Sequence, residues 1–435
     1  MNVRIPSKFL VMSWFCGLLL PTFASAQTEP VAVTEWDQFA NSGITAAGPA
    51  MEKLITQCKT ELPGVQIERT VVPSIGIRES YRLAATANEV PDLAYTWPAA
   101  SVLAGYAKND VIAPIGAYKQ KYSWNWLNPF YLGRSSYQGE LYAIPLEQDL
   151  VGVYYNQDIF EQLGLEVPKT YEEFLQVADA VKNAGYIPIA FGNRDRWPAT
   201  NLFSLLVGLT SGRKVEEKLL FGDARWTEPQ FLTAAQTFVD WADRGYLPLG
   251  FNAIGYDEAN ALFNQGQAAM NIGGTWVIQD IARNAQGQVG VFMLPPITEG
   301  VPAGTVWGEG SQWQVAASTS KAERDAAVAA LNCLVSPNKR QTWVEDGYLV
   351  PVGTTADELA SWKTPQLVKD FYREGLATED ANFYDLHTTI PESTTQTLYA
   401  ELQSLLDKQS TPEEFLSRIQ ASWEAAIDNG ERWIP

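Results

Sequence analysis

The sequence predicts an α/β protein of two lobes, each built on a mostly parallel sheet with helices on both faces. Three observations carry this. The chain has 435 residues, too many for one compact core, so two are expected. Strand-like and helix-like segments alternate from residue 30 onward, the pattern of a parallel sheet whose crossovers are helices. No internal repeat or low-complexity linker separates the halves, so the lobes should be discontinuous in sequence and joined by several short crossings, which favours hinge motion over free tumbling.

At the N-terminus, Arg4 and Lys8 precede the apolar run Phe9 to Leu20, followed by Pro21 and Ala24-Ser25-Ala26. Residues 1–26 read as a secretory signal peptide cut after Ala26, and the run is too short to span a bilayer. Cys16 follows Trp14-Phe15 instead of small residues, which argues against lipidation. Processing removes two of the 31 Lys and Arg and none of the 50 Asp and Glu, leaving a net charge of −21. Such a chain repels nucleic-acid phosphates and anionic lipid, so a neutral or cationic ligand is indicated. Cys58 and Cys333 remain in a compartment that permits oxidation; one disulfide and two separate buried thiols are both open.

Residues 30–36 read as a first strand that runs into a loop with Asp37, Gln38 and Asn41. Ala46 to Leu62 has Met51, Leu54, Ile55, Cys58 and Leu62 at helical spacing, and Pro63-Gly64 closes it. Val65 to Val72 is a second strand, Glu79 to Thr86 a second helix, and Pro91 to Trp97 a third strand with its loop. Ligands of such sheets sit beyond the carboxyl ends of the strands, which places Asp37 and Trp97 at one rim. Thr170 with Glu173 forms a capping box that opens a helix ending near Gly185. Ile187-Pro-Ile-Ala-Phe is the next strand, leading to Gly192-Asn-Arg-Asp-Arg-Trp197. Thr233 to Arg244 is an amphipathic helix, Ala322 to Leu334 another, and Gln341 to Val352 a crossing between lobes.

The stretch Phe263 to Trp276 changes character in its middle. Gly266 stops a helix, Ala268 to Ile272 form a short buried strand, and Gly273-Gly274 allow a sharp turn before Trp276. Small residues around a tryptophan bring backbone and ring close to a flat, hydroxylated ligand that wants stacking and hydrogen bonds.

Catalytic chemistry is poorly supplied. His387 is the single histidine, in Tyr384-Asp-Leu-His-Thr388, and reads as a surface or capping residue; no Gly-x-Ser-x-Gly elbow accompanies it. Phosphate-cradling, EF-hand and cysteine-rich metal motifs are absent from the sequence. A glycoside hydrolase needs two carboxylates roughly 5 to 9.5 Å apart, and Glu147, Asp149 and Glu309 could supply them. The same carboxylates suit sugar binding, since ionised oxygens accept hydrogen bonds from hydroxyl pairs.

Pro91-Asp92, Ala143-Ile-Pro-Leu, Tyr154-Tyr-Asn156, Pro168-Lys-Thr-Tyr-Glu-Glu-Phe, Ile187-Pro-Ile-Ala, Phe263 to Met270, Leu294-Pro295 and Gly347-Tyr-Leu-Val-Pro351 occur in one order along nearly the whole mature chain. In that order, with Gly-x-Trp at 274–276, the chain resembles the family 1 extracellular solute-binding proteins, the sugar receptors of ABC importers. The resemblance implies a type II periplasmic binding protein fold of the maltose-binding-protein kind. Lobe 1 would comprise 27–147 and 310–345, and lobe 2 148–309 and 346–435. It implies a monomeric periplasmic receptor that closes over a mono- or oligosaccharide and delivers it to permease subunits in the inner membrane, with no cofactor, metal, catalytic residue or nucleic-acid partner. The family's binding loops fall on Asp37, Gln38, Trp97, Gln148, Asp149, Asn193, Trp197, Gly274, Trp276, Trp307 and Glu309. Trp197 and Trp276, with Trp97 or Trp307, would stack on sugar rings, while Trp124, Trp126, Trp226, Trp343 and Trp423 are left to packing. Asn41-Ser-Gly43 and Val71 to Ile77 depart from the family pattern near the first lobe's rim, which bears on the identity of the sugar. Family members also bind glycerol phosphates, and the Arg194, Arg196 pair beside Trp197 could accept an anion.

Overall fold

The computed structural model describes Met1 and residues 29–40, 47–96, 100–127, 129–308, 311–378 and 382–433. Nearly all of the expected signal peptide, the Asn41-Ser-Gly43 segment, Trp97 and Glu309 lie outside the described residues. Among the described residues thirteen strands follow in chain order: β1 (Val31–Asp37), β2 (Val65–Val71), β3 (Leu93–Thr96), β4 (Ser136–Tyr137), β5 (Glu140–Leu141), β6 (Ala143–Pro145), β7 (Asp149–Asn156), β8 (Ile187–Ala190), β9 (Ala268–Gly274), β10 (Val289–Phe292), β11 (Thr305–Gly308), β12 (Gln312–Val315) and β13 (Asn382–Tyr384). Apart from the small β4–β5 hairpin, they build two sheets. One has the order β2-β1-β3-β12-β6, the other β13-β11-β7-β9-β8 with β10 also on β7. Each sheet is the floor of one lobe.

The sheets are mixed where the sequence predicted mostly parallel ones: one strand in each runs against its neighbours, so that four pairings are parallel and five antiparallel. In the first, β12 runs against β3 and β6. In the second, β7 runs against β9, β10 and β11. The cause is topological. β7 and β12 are the strands that the chain reaches directly from the other lobe, so they begin at the cleft and run away from it, whereas their neighbours run toward it.

Three crossings join the lobes, and they are bunched. Gln148 N–H donates to the Val350 carbonyl (3.0 Å) and Val352 N–H to that of Leu146 (2.8 Å), so the first and third crossings pair as a short antiparallel ladder; Leu146 N–H also reaches Ser311 of the second (3.4 Å). The third crossing is shorter than the sequence indicated. Arg340–Gly347 is a helix lying on the first lobe's helix Gly48–Glu61, and a side chain at Gly347 would stand 3.0 Å from Ala47. Only the residues from Tyr348 onward cross.

Helix Gly48–Glu61 turns Ala50, Met51, Leu54 and Cys58 inward at helical spacing. It meets helix Lys321–Val335, and Cys58 is bonded to Cys333 with 5.9 Å between Cα atoms, so the disulfide is the alternative that forms. In lobe 2, helix Trp197–Ser211 is buried on every side from Pro198 to Thr210, because sheet and outer helices enclose it; Gly208 is required where that helix meets Phe383, whose ring would lie 2.2 Å from an added Cβ. Helix Tyr171–Asn183 opens with the expected Thr170–Glu173 capping box. Trp124, Trp226, Trp343 and Trp423 are buried packing residues, and Trp126 lies under Arg340 (5.1 Å).

The disulfide closes a loop of 275 residues, which greatly restricts the unfolded chain. Replacing both cysteines with serine is expected to lower the unfolding free energy by about 3–5 kcal/mol, read by chemical denaturation. Reductant should bring the parent protein down to the double variant and leave the variant unmoved.

Candidate ligand-binding cleft

The cleft lies where the carboxyl ends of both sheets converge on the crossings. On the lobe 2 side its wall is set by β9. The strand ends at Gly274, a short turn Thr275–Val277 follows, and the Trp276 ring folds back over Gly274 so closely that a Cβ there would stand 2.0 Å from it. Only glycine permits that fold. Trp276 Nε1 donates to the Tyr256 hydroxyl (2.7 Å); the Trp197 ring centroid lies 4.4 Å from Tyr256 and 6.1 Å from Trp276. All three rings are half-buried.

Two loops hold this trio. Arg194 N–H donates to the Ile254 carbonyl (3.0 Å) and Asn193 N–H to that of Phe251 (2.8 Å). Tyr256 N–H donates to Asp195 Oδ2 (2.8 Å), and Arg194 pairs with Glu258 (3.0 Å). Trp197 and Tyr256 are thus fixed to one another through their backbones. Behind them lies a narrow pocket of about 360 Å³ including its open mouth, lined by Asn201, Asn260 and Asn271, where Asn271 donates to Asn260 (2.9 Å). Its polar atoms suit hydroxyl groups or water.

Trp276 also borders a second cavity, of about 450 Å³ including its open mouth, against the crossings. Phe39 and Ala47 line it from lobe 1, Thr275, Gln279 and Tyr372 from lobe 2, and Glu147 and Asp149 from the first crossing and the strand it feeds. Tyr95 of β3 donates to Glu147 Oε1 (2.5 Å), Thr275 to Asp149 Oδ1 (3.1 Å), and Tyr372 to the Gln148 carbonyl (2.9 Å). Burial pushes the Glu147 carboxyl up to about 7, against the lowering effect of hydrogen bonds with Tyr95 and Asp149.

Of the residues that the sequence nominated, Asp149, Trp276 and Trp197 come together on the two cavities, with Gly274 beneath the Trp276 ring. Gln148 is buried at the crossing and presents its carbonyl to Tyr372. Gln38 is buried against Ser311 (3.0 Å). Three further nominated residues point into the protein. Asp37 is 0% exposed, and its oxygens take Arg69 (2.5 and 2.9 Å) and the Phe39 amide (2.6 Å), so it shapes the β1 loop from inside. Asn193 is also 0% exposed, bonding Asn252 (2.8 Å) and accepting from Ala199 N–H (3.2 Å). Trp307 is 2% exposed and packs on Phe130 and Tyr131, 6.2 Å between centroids in each case. Trp97 and Glu309 are outside the described residues. His387 is part-buried in the short helix Leu386–Thr389, with its Nδ1 2.7 Å from the N-cap residue Asp385.

Tyr256, Asn260, Asn271 and Tyr372 escaped sequence reading. A signal existed for the first two, since Tyr256 and Asn260 are four residues apart on the face of a helix (Tyr256–Asn264) that leads into the glycine-rich turn.

Glu147 ties stability to pH. Unfolded, the carboxyl ionises near 4.5; folded, near 7. The folded state therefore binds the extra proton between these values, and stability is greatest below the lower one and falls as pH rises through the window. The loss from this group is expected to be about 3 kcal/mol. Denaturant unfolding at pH 4.5 and 7.5 should show that share of the slope vanishing in Glu147→Gln.

A model of the bacterial extracellular solute-binding protein family matches residues 53–370. The multiple sugar-binding protein of Streptococcus mutans is 23% identical over 255 residues, 56% of this chain and 59% of that protein, so the match spans about three fifths of the relative. The mannitol-binding protein of Pseudomonas aeruginosa is 25% identical over half of each chain. A solved chitin oligosaccharide binding protein superposes with a TM-score of 0.82 at 23% identity, covering 92% of this chain and 99% of that one; a solute-binding protein solved with raffinose gives 0.73 at 21%, covering 91% and 99%. With two α/β lobes, bunched crossings and a cleft between them, the chain belongs to the bacterial extracellular solute-binding proteins.

Proposed function

We propose that this protein is the periplasmic receptor of an ABC importer, binding a carbohydrate between its lobes and delivering it to the membrane permease. The observation that carries the reading is the Trp197–Tyr256–Trp276 cluster standing between amide-lined and carboxylate-lined cavities. Aromatic faces suit the C–H faces of sugar rings, and the amides and carboxylates suit their hydroxyls. The relatives support the class: their names and titles give multiple sugars, mannitol, chitin oligosaccharide and raffinose. The signal-peptide pattern of residues 1–26 supports export.

The lobe division follows the crossings. Lobe 1 takes residues 27–147 and 310–345, extended by the remainder of helix Arg340–Gly347, which packs with it; lobe 2 takes 148–309 and the rest of the chain. A ligand that touches both lobes only in the closed arrangement draws the population toward it by that difference in contact. The receptor works as a monomer, with no cofactor.

A hydrolase is disfavoured by one observation. Both carboxyls at the floor of the cleft are already engaged within the protein, Glu147 by the Tyr95 hydroxyl (2.5 Å) and Asp149 by that of Thr275 (3.1 Å), whereas a hydrolase needs two that act on either side of a glycosidic bond.

Thermal-shift screening of the mature protein against mono-, di- and oligosaccharides tests the reading. A sugar at 100 times its Kd should add about 2.7 kcal/mol to stability and be recovered intact by chromatography. Cleavage of the hit would establish an enzyme, and no shift with any carbohydrate would remove the sugar. Trp276→Ala is expected to weaken the hit's affinity by more than about tenfold, the scale of one lost aromatic contact, with the melting transition still cooperative.

A further inference from the structure

The loop that carries Trp197 holds its neighbour in a backbone shape that an ordinary side chain avoids. Arg196 has φ 67° and ψ −39°, and Trp197 N–H donates to the Asp195 carbonyl (2.8 Å). Arg196 is therefore the centre of a γ-turn with positive φ, a rare and strained form. The surroundings over-determine it: Arg196 N–H is held by the Asn193 carbonyl (3.1 Å), and Asp195 is held by Tyr256. Glycine would adopt this turn freely. Arginine stands there instead.

Its charge is as unusual as its backbone. Arg194, two residues earlier, is neutralised by Glu258, and Arg78 of the facing lobe by Glu392 (2.6 Å). Arg196 is exposed and makes no ion pair among the described residues, its guanidinium carbon lying 5.9 Å from the Tyr399 ring centroid. The fields of Arg78 and Arg196 reach the Tyr399 hydroxyl, as do those of the carboxylates Asp385 and Glu392. Of these three guanidinia Arg196 alone has no carboxylate partner among the described residues, on a chain whose net charge is −19, and it is the chain neighbour of Trp197 in the aromatic cluster. A guanidinium fork matches a carboxylate with two parallel hydrogen bonds.

Resting on the carbohydrate reading above, we propose that Arg196 is a specificity-determining residue that binds the carboxylate of a uronic acid unit stacked on Trp197, so that the receptor prefers acidic oligosaccharides to their neutral counterparts. The strained turn fixes the backbone from which the Trp197 ring and the Arg196 side chain both leave.

Calorimetric titration of the mature protein with matched pairs tests this: xylotriose against its glucuronic-acid-branched form, and digalactose against digalacturonate. The acidic member of the preferred pair should bind at least tenfold more tightly, with the margin shrinking in high salt. Arg196→Gln should abolish the margin while leaving the neutral member within threefold. Arg196→Gly should do the same with Tm unchanged or raised, since glycine relaxes the turn; that separates lost recognition from lost folding. Equal weakening of both members by Arg196→Gln, or binding of neutral members with no acidic preference in the parent protein, overturns the proposal alone. Failure of every sugar to bind overturns the carbohydrate reading as well.

Discussion

The ladder between the first and third crossings is the constraint from which the rest of the molecule follows. Leu146 and Gln148 exchange backbone hydrogen bonds with Val352 and Val350, so two of the three connections are held as one ribbon. A single flexible strand would let the lobes tumble. A paired ribbon resists shear and twist and bends most easily across its flat face, which turns interdomain motion into opening and closing. The same crossings reverse β7 and β12 within their sheets and put Glu147 and Asp149 at the base of the cleft. The crossings and the floor of the cleft are therefore one piece of backbone.

Against this base the aromatic wall is made rigid by means that leave the side chains free. Trp197 and Tyr256 belong to loops joined by main-chain hydrogen bonds and by an aspartate on a main-chain amide. The rings themselves are held by little: one indole–phenol hydrogen bond and edge contacts. Such a wall is placed in advance, so that binding spends little on ordering it, while its faces stay half-open. Acidic groups crowd the outside of this wall. Burial and then the charge of Asp195 raise the Asp257 carboxyl above its usual range.

Much of the fold was legible because it is local. Helix Tyr171–Asn183 announces itself by Thr170 and Glu173, and the β9 turn by Gly273-Gly274 before Trp276. The small residue at 274 is there because an indole covers it, a relation confined to three positions of sequence. What could not be read depends on partners far along the chain. Asp37 stands at a strand end, where a binding carboxylate belongs, but Arg69 reaches it across the β1–β2 pairing 32 residues away and converts it into an internal brace. Trp307 has the glycine-rich setting of a stacking ring, yet Phe130 and Tyr131 close over it. Both placements have one origin: the sequence locates the rim, and tertiary packing decides which rim residues turn outward.

One strand of the first lobe has a consequence for the order in which the molecule can be made. β6 has no neighbour in its sheet except β12, and β12 follows it in the chain only after the whole β7–β11 portion of the second lobe. Until residues 312–335 arrive, the first lobe lacks an interior strand, the helix that carries Cys333 and the wall against which helix Gly48–Glu61 packs. During threading through a membrane the early half of the lobe must wait, incomplete, while most of another lobe emerges and takes shape. Its assembly is closed from the far end of the chain, and a truncated or stalled product therefore has no finished half that could capture a ligand.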